Sequence, residues 1–372
     1  MLDQAEILRQ LASKSSGLNE KSKIITITSG KGGVGKSTIS FHLSMRYAET
    51  HPDAKVLVID LCPQANSSMM LLGGGALGDE RVVELCSREI PKSVVGYVST
   101  VITNGRGANL PNPYDFLIHV SDYNKGAPDN LYLLCGDGNM EPMAPAINEA
   151  ASAKALTPNA QPWKWIIEIF KNFILNIADS QDDWMFFVDT NPSFSIYTQM
   201  AIAAVERLLT PINADDSSKT AASAMIALLH GTNPPHPIYG SWTFAEVAKQ
   251  RNVKIPQIHL LIGNRLTQFE GPAAAFAALS DATATALYDI YQKNPSYFVS
   301  AAEPISTKEQ FKNYYSVPLR DFNTVGVVCA HLGRLMSSMK QGYYPVYGVN
   351  VKVNMEKIQE CLKAIDMIID KL

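Results

Sequence analysis

Residues 29–38 read Ser-Gly-Lys-Gly-Gly-Val-Gly-Lys-Ser-Thr. A β-rich run, residues 23–28, comes directly before this stretch, and an apolar-periodic segment, residues 39–47, follows it. Glycines let the backbone turn tightly and point successive N–H groups inward, and a following helix adds the positive end of its dipole to the same point. The order of strand, glycine-rich loop and helix therefore predicts a loop that binds phosphate groups.

The spacing within the loop fits the pattern G-x-x-x-x-G-K-[ST], which Lys36 and Ser37 complete. The pattern predicts that Lys36 reaches the β- and γ-phosphates of a nucleotide and that the Ser37 hydroxyl binds a magnesium ion. A glycine-rich turn without a ligand is the alternative, but a buried lysine without an anion partner is costly. The predicted nucleotide-binding residues of the loop are Gly30, Lys31, Gly32, Gly33, Val34, Gly35, Lys36, Ser37 and Thr38.

A second lysine, Lys31, lies inside the loop, and the resulting KGGVGKST sequence resembles the deviant Walker A box of the ParA/MinD family of ATPases. In that family the extra lysine crosses to the partner subunit and contacts its nucleotide. The resemblance implies that Lys31 couples ATP binding to formation of a homodimer with ATP sandwiched between two chains. A solvated loop lysine is the alternative.

A carboxylate, Asp60, ends the predicted buried strand 55–60, and residues 61–66 resemble the D-x-D-P-Q-x-N segment of the same family. An acid at the carboxyl end of a parallel strand beside the phosphate loop is suited to hold a magnesium-bound water. The family's second aspartate, which helps to hold the attacking water, is Cys62 here, and a thiol cannot orient water in the same way. Two interpretations stay open: ATP hydrolysis is slow or uses another group, or Cys62 is only a small buried side chain. The implied catalytic residues are Lys31, Lys36 and Asp60.

A second apolar run, residues 184–189, ends in Asp189 and continues into a D-x-x-P-S segment that resembles the family's Walker B segment. Together with Ser37 and Asp60, Asp189 completes the implied magnesium ligands. Asn264, at the end of a further predicted strand, resembles the asparagine that contacts the adenine edge in MinD-like ATPases, and Arg265 follows it. A turn asparagine that stabilises its own backbone is the alternative.

Composition limits the class of protein. The chain has 372 residues, 46% of them hydrophobic and 18% charged, with a net charge of −3. These values favour a folded protein without a strong overall attraction to nucleic acid or anionic membrane. Five widely spaced cysteines without a C-x-x-C pair indicate reduced thiols rather than disulfides or an iron–sulfur site. With no signal peptide and no apolar run of the roughly 20 residues that span a bilayer, we expect a cytoplasmic protein.

The expected fold is an α/β P-loop NTPase of the deviant Walker A type, with a mostly parallel central sheet flanked by helices. We expect a leader helix and linker in residues 1–22, the ATPase domain in 23–353 with an insertion at 82–129, and an amphipathic helix in 354–372 that packs on the body or on a partner rather than on a membrane. Residues 163–178 are predicted to form one helix, and the three glycines at 73–75 a flexible loop.

The resemblance implies a Mg-ATP-dependent switch that dimerises, interacts with a ParB-like or cargo adaptor protein, and partitions DNA or positions cargo. A nucleotide-gated interaction module with little or no hydrolysis is the alternative, supported by Cys62. DNA binding, with nucleoid association, requires a local basic patch. The candidate residues are Lys308, Lys312, Arg320, Arg334 and Lys340.

Overall fold

Strands and helices alternate along most of the chain. The structure is a computed structural model and describes residues 23–27, 31–105, 110–154, 160–178, 182–213, 216–232, 236–238, 240–264, 273–319 and 322–372, with the backbone alone for 216–218, 264, 273–280 and 323. The strands are β1 (Lys23–Ile27), β2 (Lys55–Leu61), β3 (Ile118–His119), β4 (Leu131–Leu134), β5 (Trp184–Thr190), β6 (Arg207–Asn213), β7 (Gln257–Asn264), β8 (Ser316–Pro318), β9 (Gly342–Val346) and β10 (Val349–Val353). The helices are α1 (Lys36–Thr50), α2 (Asn66–Leu71), α3 (Gly75–Cys86), α4 (Val94–Asn104), α5 (Val120–Tyr123), α6 (Met140–Ser152), α7 (Pro162–Ile167), α8 (Ile169–Ala178), α9 (Ile196–Ala204), α10 (Asp216–His230), α11 (Phe244–Gln250), α12 (Ala273–Lys293), α13 (Lys308–Tyr315), α14 (Asn323–Leu332) and α15 (Met355–Ile369).

The central sheet has the strand order β3-β4-β2-β5-β1-β6-β7-β8 within the described residues. Neighbouring strands pair in parallel, except that β3 is antiparallel to β4. The carboxyl ends of β2 and β5 are in register, which pairs Asp60 with Asp189 across the two strands. This arrangement confirms the predicted fold class, a mostly parallel sheet flanked by helices. It also places the ends of β1, β2 and β5 side by side.

The core lies on both faces of the sheet. Successive residues of the inner strands point to opposite faces, so Leu57 and Ile59 belong to one buried cluster, whereas Val56 and Val58 belong to the other. Every residue of β5 is buried, as the apolar run 184–188 requires of a strand covered on both sides. Helix α1 lies against the second cluster. Its amino end follows the glycine-rich loop that comes after β1.

The segment 163–178 is not one helix. Helix α7 ends at Ile167, Glu168 has a ψ of 9°, and α8 begins at Ile169. Both helices bury their apolar residues in the same cluster, which includes Ile166, Phe170 and Phe173. A single non-helical residue leaves the apolar spacing intact, so the periodicity could not reveal the break.

The glycines at 73–75 form a close-packed crossing rather than a flexible loop. All three have positive φ, at 119°, 70° and 52°. A Cβ on Gly74 would lie 2.4 Å from the carbonyl oxygen of Ala330 in α14, so only glycine fits there. Asn124 fixes the crossing from the side, since its Nδ2 donates to the carbonyl oxygens of Leu71, at 2.9 Å, and Gly333, at 2.7 Å.

The carboxyl-terminal part of the chain packs on the α1 side of the sheet. Strands β9 and β10 pair as a separate antiparallel hairpin. Helix α15 buries its apolar stripe in the second cluster, and Asp366 accepts two hydrogen bonds from the guanidinium of Arg46 in α1, at 2.7 and 2.9 Å. Among the described residues no helix is both long and apolar enough to cross a membrane. The domain limits at 22, 353 and 82–129 stay predictions.

Candidate functional site

A crevice of about 880 Å³ opens at the carboxyl ends of β1, β2 and β5. Its floor is the glycine-rich loop with the first turn of α1, and its walls come from the segments that follow β2 and β5. The loop residues that line it are Gly32, Gly33, Gly35, Lys36, Ser37 and Thr38. These residues are among those the sequence predicted to bind a nucleotide. Gly30, the first of that set, lies outside the described residues.

The loop has the backbone that its glycines predict. Gly33 and Gly35 have φ values of 71° and 82°, a region that side chains with a Cβ rarely adopt. Gly35 precedes the first residue of α1, so the N–H groups of the first helical turn point into the crevice. Val34 is buried and anchors the loop in the core. The loop is therefore a concave site with positive potential, as anion binding requires.

Lys36 is 7% exposed and its Nζ donates to the carbonyl oxygen of Lys31 at 3.1 Å. Burial lowers the pKa of Lys36, while the nearby Asp189 opposes this shift. A buried ammonium with one backbone acceptor retains donor capacity, because an ammonium group has three N–H bonds. Lys36 can thus donate to an anion in the crevice, whereas Lys31 contributes its carbonyl oxygen to the loop.

Asp60 is fully buried and its two oxygens accept hydrogen bonds from its own chain. Oδ1 accepts from the backbone N–H of Cys62 at 3.1 Å, and Oδ2 accepts from the N–H and hydroxyl of Ser68, at 2.9 and 2.7 Å. Burial, with the charge of Asp189 next, raises the pKa of Asp60 to about 7. Asp60 therefore fixes the turn after β2 and the start of α2, and it lies behind the crevice wall.

Asp189 has a different environment at the end of the neighbouring strand. Its Oδ2 accepts from the Ser67 hydroxyl at 2.6 Å, whereas Oδ1 is buried with no hydrogen-bond partner among the described residues. Burial raises the pKa of this carboxyl group, while the hydroxyls of Ser67, Ser37 and Ser40 act to lower it. A buried carboxylate oxygen without a donor is unfavourable and indicates a missing partner. Mg²⁺ and its bound waters suit such an oxygen, and Ser37, another oxygen donor, lies on the crevice wall. The residues present thus fit a magnesium ion.

Cys62 lines the crevice and is 6% exposed. Burial, followed by the charges of Asp60 and Asp189, raises the pKa of its thiol to about 12. The thiol is therefore neutral near pH 7 and cannot accept a proton from water as a carboxylate can. All five cysteines of the chain are free thiols.

Several residues of the site were not predicted from the sequence. Ser67 and Ser68 follow the predicted 61–66 segment directly. Two hydroxyl side chains so close to a strand-end acid could have been recognised in the sequence as hydrogen-bond donors to the two strand-end acids. His331 and Tyr347 line the far wall of the crevice, together with the acids Asp79 and Glu141. These four come from distant parts of the chain, and no local motif marked them.

The sequence predicted two base contacts, Asn264 and Arg265, at the end of a strand. Asn264 is the last residue of β7, with only its backbone described, and Arg265 lies outside the described residues. A second cavity of about 510 Å³ adjoins the carboxyl ends of β6 and β7, where Asn213 and Gly263 line it. The role of Asn264 and Arg265 stays a prediction.

Comparison with known proteins agrees with this geometry. Residues 22–105 match a family model named AAA_31, described as an AAA domain. An uncharacterized protein of Methanocaldococcus jannaschii is 52% identical over 50 residues, which are 13% of this chain and 18% of that protein. The chain thus matches less than a fifth of that relative's length.

Two solved structures match nearly the whole chain. An ATP complex of a variant of Cyanothece McdA has a TM-score of 0.56 at 15% identity, over 94% of this chain and 97% of that chain. A plasmid partition protein of Borrelia burgdorferi with bound AMPPNP has a TM-score of 0.51 at 16% identity, over 95% of this chain and 100% of that chain. At these identities the likeness is one of fold. The resemblance is confirmed at the level of the fold: residues 22–105 match the AAA domain model, and the chain has the fold of McdA and of the plasmid partition protein.

Proposed function

We propose that this protein is a ParA-like ATPase that binds Mg-ATP in the crevice and forms a nucleotide-sandwich homodimer. Lys36 and the loop N–H groups would hold the phosphates, and Ser37 and Asp189 would hold the magnesium ion, which neutralises phosphate charge when bound. Asp60, behind the crevice wall, would stabilise the turn that follows β2. Lys31 would reach the nucleotide of the second subunit.

One observation carries this proposal: a buried lysine and a buried carboxylate with a free oxygen meet beneath a loop in left-handed conformation. Within the described residues Lys36 retains N–H donors that its one acceptor does not use and Asp189 retains an oxygen without a donor, and Mg-ATP supplies partners for both. The structures with the same fold support the nucleotide, since one is an ATP complex and another holds AMPPNP.

Oligomeric state with different nucleotides tests the proposal. The wild-type protein should be monomeric with ADP and dimeric with ATP or a non-hydrolysable analogue plus Mg²⁺, as measured by light scattering after gel filtration. Lys31→Ala should still bind ATP but stay monomeric, and Lys36→Ala should lose ATP binding. A wild-type protein that stays monomeric at saturating Mg-ATP would contradict the dimer.

A nucleotide-gated module with little hydrolysis is the second candidate, and Cys62 favours it. The buried neutral thiol occupies the position from which the family's second aspartate helps to hold the attacking water. This candidate predicts ATP-dependent dimers whose turnover stays negligible even with an adaptor protein and DNA present. Measurable stimulation of phosphate release by either addition would exclude it.

The proposed cellular role is DNA partition or cargo positioning with a ParB-like or cargo adaptor protein. McdA and a plasmid partition protein both have this fold. Of the candidate basic patch, Lys308 and Lys312 lie 2.7 and 3.5 Å from Asp281, and Arg320 lies outside the described residues. DNA binding would therefore depend on basic residues brought together in the dimer. Gel shifts with and without ATP test DNA binding. Equal and negligible binding under both conditions would exclude DNA as the surface on which the protein acts.

A further inference from the structure

The hairpin β9–β10 turns through two residues, Tyr347 and Gly348, with φ values of 47° and 81°. Two successive positive φ values in a two-residue hairpin loop are those of a type I′ turn, which favours Asn-Gly or Asp-Gly. A bulky residue such as tyrosine is strained in the first position. The chain thus keeps an aromatic ring where the backbone favours asparagine, and strain of this kind indicates a use for the side chain.

The ring of Tyr347 contributes little to the packing of the described residues. It is 82% exposed, and its described ring contact is with His331 at 4.6 Å between ring centroids. Both rings line the crevice that contains Lys36. Tyr347 therefore stands at the rim of the proposed nucleotide site and faces outward.

The base of this rim packs on the core. The inner face of the hairpin packs on the second core cluster through Tyr344, Val346 and Val351. His331 lies in the last turn of α14 next to the glycine crossing, where a Cβ on Gly75 would lie 3.0 Å from the histidine ring. A ring held on a fixed support loses little freedom on binding, which makes it a suitable anchor for a protein interface.

We propose that Tyr347 is an anchor for a second copy of this chain, which docks over the mouth of the crevice. This rests on the proposed nucleotide-sandwich dimer. Any surface that closes the crevice from outside must cover its rim, and in a two-fold dimer each copy presents the same rim to the other. The acids Asp79 and Glu141 on the crevice wall complement the charge of Lys31 of the second copy, which would enter there.

The variant Tyr347→Asn separates docking from folding, because Asn-Gly is the favoured type I′ sequence. The variant should unfold at the same or a higher temperature than wild type, and its dimerisation is compared with that of wild type at saturating nucleotide, so that a change in nucleotide affinity does not enter the comparison. Its dimer, with the non-hydrolysable analogue and Mg²⁺, should dissociate at least about tenfold more readily by sedimentation, since a central tyrosine carries much of an interface's energy. Trp242→Asn is the matched control: that side chain is 77% exposed and lies on the opposite face of the sheet, so dimerisation should not change.

The outcomes distinguish this proposal from the one on which it rests. If wild type dimerises with the analogue and Tyr347→Asn dimerises equally well, the tyrosine is not an anchor, while the nucleotide-sandwich dimer stands. If both Tyr347→Asn and Trp242→Asn weaken the dimer alike, the effect is not specific to the rim, and the anchor is rejected. If wild type itself stays monomeric with the analogue, the proposed dimer fails and the anchor fails with it.

Discussion

The ends of the neighbouring strands β2 and β5 look alike in sequence but differ in the structure. Each strand is apolar and ends in a buried aspartate, and the two acids are in register. Asp60 accepts three hydrogen bonds from the backbone and side chains that follow it. Asp189 accepts one from Ser67, and its other oxygen has no hydrogen-bond partner among the described residues.

This difference separates a carboxylate that shapes the site from one that is open to a ligand. A carboxylate has about four lone-pair positions, and Asp60 uses three of them within its own chain. Two adjacent serines of α2 contact different acids: Ser67 donates to Asp189, and Ser68 donates to Asp60. The same sequence signal, an acid after a buried strand, thus supports two different roles.

The largest expected effect is the loss of ATP turnover in the variant Asp189→Asn. An amide cannot supply the charge that a metal site requires, so ATP turnover should fall by about 100-fold or more, given that a metal supplies several kcal/mol of transition-state stabilisation. The free energy of unfolding without nucleotide should stay within about 1 kcal/mol of wild type, because the amide removes repulsion from Asp60. Phosphate-release assays and urea denaturation measure the two quantities. Retained turnover would contradict the assignment of the open oxygen to a metal.

Asp60→Ala should have the opposite profile, with a large cost in stability. The change leaves the N–H groups of Cys62 and Ser68 without their buried acceptor, and each unsatisfied donor costs about 1–3 kcal/mol. We expect the free energy of unfolding, from urea denaturation without nucleotide, to fall by about 3 kcal/mol. Asp189→Ala is the control and should lose less, since it frees one donor. Equal losses of unfolding free energy in the two variants would contradict the different roles assigned to Asp60 and Asp189.

Cys62→Asp tests whether the neighbour of Asp60 limits hydrolysis. A carboxylate on the crevice wall can accept a hydrogen bond from the attacking water, so turnover should rise by about tenfold, a modest share of what a positioned base supplies. Cys62→Ser, which is similar in size to the thiol but lacks the charge, should leave turnover near wild type. Single-turnover phosphate release measures both variants. An unchanged rate in Cys62→Asp would show that this position does not place the water.

The last effect concerns pH and involves a histidine in the core of α1 rather than either aspartate. Burial lowers the pKa of His42, which packs against Phe322, from 6.5 to about 3. Between these values the unfolded chain binds a proton that the folded chain does not, so His42 costs stability as the pH falls from 6.5 towards 3, by about 1.4 kcal/mol per pH unit.

His42→Phe removes this cost while both aspartates stay in place. The difference in unfolding free energy between variant and wild type should therefore grow in favour of the variant on acidification, because contributions common to both proteins cancel. Urea denaturation at a series of pH values gives the difference. A difference that is independent of pH would contradict a neutral buried His42.

Local sequence was sufficient for the central part of the fold. The glycine loop, the strands ending at Asp60 and Asp189, and the parallel sheet follow from patterns a few residues long, because backbone geometry and burial act over that range. Helix breaks did not follow, since the turn at Glu168 leaves the apolar face of α7 and α8 unchanged. The glycines at 73–75 were misread because their close contact is with α14, far along the chain.

The rim of the site was beyond prediction for the same reason. His331 and Tyr347 meet the phosphate loop only through the packing of α14 and the hairpin on the α1 side of the sheet. Neither residue lies in a motif, and an exposed tyrosine in a β-rich segment is unremarkable in sequence. The bond pattern that separates Asp60 from Asp189 likewise depends on how α2 sits across two strands.

The outermost strands of the central sheet have a consequence for how copies of this chain can associate. Strand β3 has two residues and β8 has three, so each border of the described sheet offers only a short row of unpaired peptide groups. Long open borders invite strand addition and aggregation, and truncating them suppresses both. Any contacts between copies are thereby directed away from β-augmentation and towards side-chain surfaces.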